Sequence, residues 1–176
     1  SCSIWRCTRL ILLISGNMGT SRYYHGTAGT STAGFAFGGA PYTADAETFN
    51  GSTWTEVANL NVARIIAGCG TQAASLATAA VESWNGISWT EINNVNTARY
   101  AHSASGTQAS AVIFGGTPNV AATEFFDSVS WTEVGDLSTG RHASAGDGTG
   151  SLAFCAGGGT PGAINDTEEW DYTSTT

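Results

Sequence analysis

The chain has 176 residues, enough for one domain with a buried core, and only 11% of them are charged. It contains six arginines, no lysine and a net charge of −8, so it lacks the basic stripe that nucleic acid or an anionic membrane surface requires. With 23 glycines and abundant Thr, Ser and Ala, the composition excludes long amphipathic helices and reads as short strands joined by tight turns.

Residues 1–21 form a distinct N-terminal segment. Its apolar run, Leu10, Ile11, Leu12, Leu13 and Ile14, is far shorter than the roughly 20 residues that span a bilayer. Arg6 and Arg9 precede it, but no small-residue cleavage site of the signal-peptide kind comes after it. The run reads as one strand, and membrane insertion is not expected.

From residue 22 onward the chain repeats, in units 22–63, 64–98, 99–140 and 141–176. Each unit opens on an arginine: Arg22, Arg64, Arg99 and Arg141. A Gly-Thr pair comes next at Gly29, Gly70, Gly106 and Gly148, then an apolar stretch. That stretch ends in Gly-Gly at 38–39, 115–116 and 157–158. A Glu two residues before an aromatic is the next landmark, at Glu47, Glu82, Glu124 and Glu168. Trp-Thr-Glu closes the first three units at Trp54, Trp89 and Trp131. The second unit is shorter, 35 residues between arginines against 42 for its neighbours, having lost mostly the Gly-Gly turn and the loop after it.

Each unit is predicted to hold four short strands, typified by 99–104, 111–114, 123–127 and 130–134. Alternation such as Phe35 and Phe37 with smaller residues fits a pleated strand with two unlike faces. Asn50-Gly51 and Asn85-Gly86 are tight-turn dipeptides between the third and fourth strands. Four strands in about 40 residues is the signature of a propeller blade.

An apolar strand ending in Gly115-Gly116, then Glu124-Phe125-Phe126, then Trp131 and Arg141, resembles the kelch repeat. The likeness runs from Arg22 to near the end, with a period shorter than the usual ~50 and one missing Gly-Gly. The stretches NGSTWTEVANLNVAR and NGISWTEINNVNTAR are also similar to repeats in predicted structural and fibre proteins of aquatic bacteriophages. The resemblance implies an all-β, kelch-like β-propeller of about four blades, each of four short antiparallel strands.

The ends bear on how such a ring closes. The last unit reaches Asp171, short of a fourth-strand Trp, while residues 12–15 align with 131–134 on the register of Arg22 with Arg141. Residues 10–14 therefore read as the missing strand, closing their own ring or donated to a neighbouring subunit.

Few residues suggest chemistry. Charges that recur once per blade read as packing, with each Arg expected to meet a Glu or a backbone carbonyl. The recurring Trp and Phe read as core between blades. His25 and His102 are equivalent positions, and His142 stands alone. Cys2, Cys7, Cys69 and Cys155 have no metal-ligand spacing; the last two fall in apolar strand positions and read as small buried hydrophobes. No nucleophile-elbow motif occurs. Gly51-Ser52-Thr53-Trp54 resembles half of a sialidase box, but Phe49 and Glu47 stand where that box needs Asp and Ser. No catalytic residue, metal or cofactor is expected.

The expectation is a non-enzymatic structural or adhesive module of a phage fibre or other extracellular assembly, self-associating as a ring, fibre or filament. A free-standing domain that binds a cell-surface protein or glycan is the alternative. Ligands are expected at the loops after each second strand, 40–44, 117–122 and 160–166, which carry Tyr42, Asn119 and Asn165.

Overall fold

A computed structural model describes residues 16–172. The predicted strand at residues 10–14 lies outside the described residues. The described residues are all-β: four small antiparallel sheets arranged as a four-blade β-propeller.

Blade 1 consists of β1 (Gly26–Thr30), β2 (Ala33–Phe37), β3 (Ala46–Phe49) and β4 (Trp54–Glu56). Blade 2 holds β5 (Ala67–Thr71), β6 (Ala74–Thr78), β7 (Glu82–Trp84) and β8 (Trp89–Glu91). Blade 3 holds β9 (Ser103–Gly106), β10 (Ala111–Phe114), β11 (Thr123–Phe126) and β12 (Trp131–Glu133). Blade 4 begins with β13 (Ala145–Gly148) and β14 (Leu152–Ala156). A small hairpin of β15 (Gly159–Thr160) and β16 (Gly162–Ala163) interrupts it before β17 (Thr167–Asp171). Each blade is a simple meander, and blade 4 shows three strands among the described residues.

The first strand of each blade starts later than its sequence pattern suggests. In blade 3 it begins at Ser103, because residues 99–102 make a turn with Ala101 at φ 53°. Tyr24 and Ala143 hold the same left-handed conformation before β1 and β13. Between β3 and β4 the Asn50 side-chain oxygen accepts from Ser52 N (3.0 Å) and Thr53 N (2.9 Å), and Asn85 does the same before β8. Asp127 replaces Asn before β12, and these N–H bonds, Ser130 foremost, hold its carboxyl below the usual carboxylate range.

The inner strands β1, β5, β9 and β13 stand side by side in that order around a central channel. Three apolar clusters fill the seams between successive blades. Phe35, Phe37, Trp84 and Trp89 dominate the first, Leu76, Ile113, Phe126 and Trp131 the second, and Val112, Phe114, Ala153 and Cys155 the third. Hydrogen bonds cross the same seams: Gln72 Nε2 donates to Gly34 O at 2.9 Å and Phe49 O at 2.8 Å, and Gln108 Nε2 to Ser83 Oγ at 2.7 Å.

The seam from blade 4 to blade 1 differs. Among the described residues no hydrogen bond, ion pair or apolar cluster joins the two. Phe154 of β14 is 40% exposed, whereas the residues at its register in the other blades, Phe35, Leu76 and Val112, are at most 1% exposed. Leu152 beside it is 60% exposed. On the facing side of blade 1, the tilted rings of Phe49 and Trp54 lie 5.1 Å apart yet are only half-buried, whereas the matching pairs Trp84–Trp89 and Phe126–Trp131 are buried.

Candidate functional site

The repeated charges sit inside the blades. Arg22 pairs with Glu47, Arg64 with Glu82 (2.7 Å), Arg99 with Glu124 (3.0 Å) and Arg141 with Glu168. The glutamate comes from the third strand of its blade, and the arginine from the linker entering that blade. The same carboxylate also accepts the backbone N–H three residues before its arginine: Gly19, Asn61, Asn96 and Ser138, at 2.6–2.8 Å. One Glu thus fixes both the main chain and the guanidinium of the linker, a charge-assisted clamp that sets where the next inner strand begins. In blades 1 to 3 both side chains are buried, so removing either leaves a stranded charge, while Glu168 of blade 4 is 24% exposed.

The arginines differ in how fully they are satisfied. Arg22 also donates to Asp45 O at 2.5 Å, and Arg141 to Asp166 O at 2.9 Å and Gly157 O at 3.3 Å. These carbonyls belong to the turn after the second strand. In blade 2 that turn, 38–45 in blade 1, shrinks to Ala79, Ala80 and Val81. Arg64 keeps a bond to Val62 O (2.9 Å), but its Nε and Nη2 have no hydrogen-bond partner. Arg99 in blade 3, where the turn is intact, leaves Nε and Nη1 without one, while its Nη2 faces the Glu124 carboxylate. Burial pulls Arg99 below its ordinary pKa, and the carboxylate of Glu124 opposes this.

Three cavities lie along this frame. The central channel, about 410 Å³, is walled by the inner strands, mostly Gly, Ala and Thr, with Asp147 its one acidic wall residue. Its other mouth, about 260 Å³, carries His25, His102 and Ser144. His102 Nε2 lies 2.7 Å from Thr78 Oγ1, and burial, reinforced by Arg99, lowers its pKa to about 3. It is therefore neutral at physiological pH. Burial and Arg22 lower His25 too. Among the described residues no three His, Cys, Asp or Glu side chains converge to hold a metal ion.

The largest of the three, about 590 Å³, opens where blade 2 has lost its turn. Tyr42 from blade 1 and Tyr100, Thr117 and Pro118 from blade 3 line it, over Arg64, Arg99, Ile65 and Val95. Tyr42 and Tyr100 are 71% and 51% exposed. Of Tyr42, Asn119 and Asn165, the structure thus brings Tyr42 to a pocket, beside Thr117 and Pro118 of the predicted loop 117–122. Asn119 instead turns to His142, its Oδ1 2.6 Å from Nδ1, and Asn165 is exposed beyond the β15–β16 hairpin. Sequence reasoning missed this pocket. The shortened second unit was visible, but only packing shows that a missing turn leaves a hollow between its neighbours.

Cys69 and Cys155 are free and buried, and desolvation raises the Cys69 thiol to about 12, so it is inert. No protein-family model and no curated protein matches the chain.

Proposed function

We propose that this propeller is a non-enzymatic structural and adhesive module of an extracellular assembly such as a phage fibre, joined to copies of itself through the blade 4–blade 1 seam. The observation that carries the reading is the seam that stays unfilled among the described residues. Leu152 and Phe154 face outward on one side, and the half-buried Phe49–Trp54 pair stands on the other. In the three filled seams the same register positions bury against each other. Blade 4 of one copy therefore complements blade 1 of the next, a heterologous contact that builds a ring or filament.

The linker 16–22 supports the same reading. Gly19 N donates to Glu47, the docking that the other linkers make on the blades they enter, and Gly16 N donates to Ser52 O (3.1 Å). In those linkers the preceding residues are the outer strand of the previous blade. That is the place the sequence expectation gives to residues 10–14, which lie outside the described residues. The likeness to phage fibre repeats adds the setting.

The test is mass in solution. Light scattering on the full chain at micromolar concentration should give oligomers, and Leu152→Glu with Phe154→Glu should give folded monomers. Monomeric unmodified chain would overturn the reading. A free-standing binding domain is the competing account, and electron microscopy of the native assembly separates the two.

A further inference from the structure

We infer that the pocket left by the missing turn of blade 2 is a carbohydrate site, and that it takes an N-acetylated hexosamine unit of a glycan. The site deepens the adhesive half of the reading above and rests on it, while assembly and ligand binding are measured separately and can fail separately.

The size comes first. At about 590 Å³ the pocket falls within the range of small-ligand sites, roughly 300–1,000 Å³. Its walls are shared by three successive blades, so it is held by the scaffold rather than by one loop. Ile65, Val95 and Pro118 supply apolar surface. Tyr42 and Tyr100 stand largely exposed at its rim, where flat aromatic faces can stack on the C–H face of a sugar ring.

The polar groups select further. Arg64 and Arg99 line the pocket with side chains 10% and 0% exposed, and both carry N–H groups without a hydrogen-bond partner. In blades 1 and 4 the equivalent arginines spend such groups on turn carbonyls; blade 2 lacks that turn, which leaves Arg64 short, whereas blade 3 keeps its turn and Arg99 makes no bond to it. Asn94 uses its side-chain oxygen on Val81 N (2.7 Å), so its remaining polar group is the NH₂ donor. The unpaired Nε and Nη2 of Arg64 and the NH₂ of Asn94 are thus donors beside the pocket that call for an acceptor.

Charge then excludes an anion. Each arginine already faces a carboxylate, Glu82 or Glu124, and the chain carries a net charge of −8. A neutral ligand with a strong carbonyl acceptor, a methyl group and a flat apolar ring face matches all three features. The acetamido group supplies the first two, and the hexose ring the third.

The experiment is calorimetric titration of the full chain with N-acetylglucosamine trimer and N-acetylgalactosamine, beside glucosamine, glucose and an N-acetylated peptide. An N-acetylated sugar should bind, and its de-acetylated parent should not. Tyr42→Ala, at an exposed position, should weaken binding about tenfold by loss of one stacking face. Ala98→Trp, filling the pocket from another exposed wall position, should abolish it, with circular dichroism showing both variants folded. Absence of sugar binding to unmodified chain up to about 10 mM would overturn the inference. So would unchanged affinity in both variants, or tighter binding of the acetylated peptide than of any sugar.

Discussion

Replacing each blade tryptophan with alanine should rank the seams. Trp89 is 7% exposed and meets Phe35, Phe37 and Trp84 at 5.0–5.7 Å. Its indole N–H donates to Ala58 O at 3.1 Å. Truncating a buried Trp costs about 3–5 kcal/mol. The aromatic neighbours and the lost hydrogen bond, about 1 kcal/mol, place Trp89→Ala at the upper end. Trp131 is 5% exposed, but its Nε1 has no partner, and among the described residues its one aromatic neighbour is Phe126, tilted against it at 5.0 Å. Its loss should cost about 1 kcal/mol less than that of Trp89. Trp54 lies half-buried at the unfilled seam, so its loss should cost about 1–2 kcal/mol. Urea unfolding with a constant slope measures all three on one scale. A Trp54→Ala variant as unstable as Trp89→Ala, in protein kept dilute enough to be monomeric, would refute the assignment of filled and unfilled seams.

Glu124→Ala should cost about 3–5 kcal/mol, because it strands the buried Arg99 and frees the Asn96 linker amide; chemical unfolding reads it. Ala79 and Ser128 hold φ of 117° and 81° where the sister blades place glycine, so Ala79→Gly and Ser128→Gly should each raise stability by about 1 kcal/mol, seen as a higher melting temperature. His102, held neutral down to about pH 3, takes up a proton from 6.5 downward only when unfolded. Its contribution is therefore present above pH 6.5 and is lost as pH falls from there towards 3, at up to about 1.4 kcal/mol per pH unit. Urea midpoints between pH 7 and 4 should show a slope that His102→Gln removes.

The blades were legible in the sequence because their landmarks are local. Gly-Gly after an apolar run, Glu before an aromatic, and Asn-Gly before Trp each fix a turn or a face over a few residues, and β10 falls where its pattern puts it. The start of β9 was not legible, since nothing in residues 99–102 announces the left-handed Ala101 that delays it. The double use of each Glu, on an arginine and on a linker amide, depends on a contact some 27 residues away in blade 3, and no spacing rule reports that. The blade 2 pocket is harder still. It is made by residues that are missing, and its walls come from the units before and after. The unfilled seam depends on which blades meet in space, so the exposure of Phe154 could not be read from its apolar character.

Association through that seam can be tested by cross-linking between chains. With Cys2 and Cys7 replaced by serine and the buried Cys69 and Cys155 by alanine, one population would carry only Phe154→Cys and a second only Trp54→Cys, the two sides of the seam. Mixed under mild oxidation, the two populations should form disulfide-linked hetero-dimers, and neither should link to itself. Failure of the mixture to link, together with an intrachain disulfide when both cysteines sit in one chain, would contradict association and show that the propeller closes on itself.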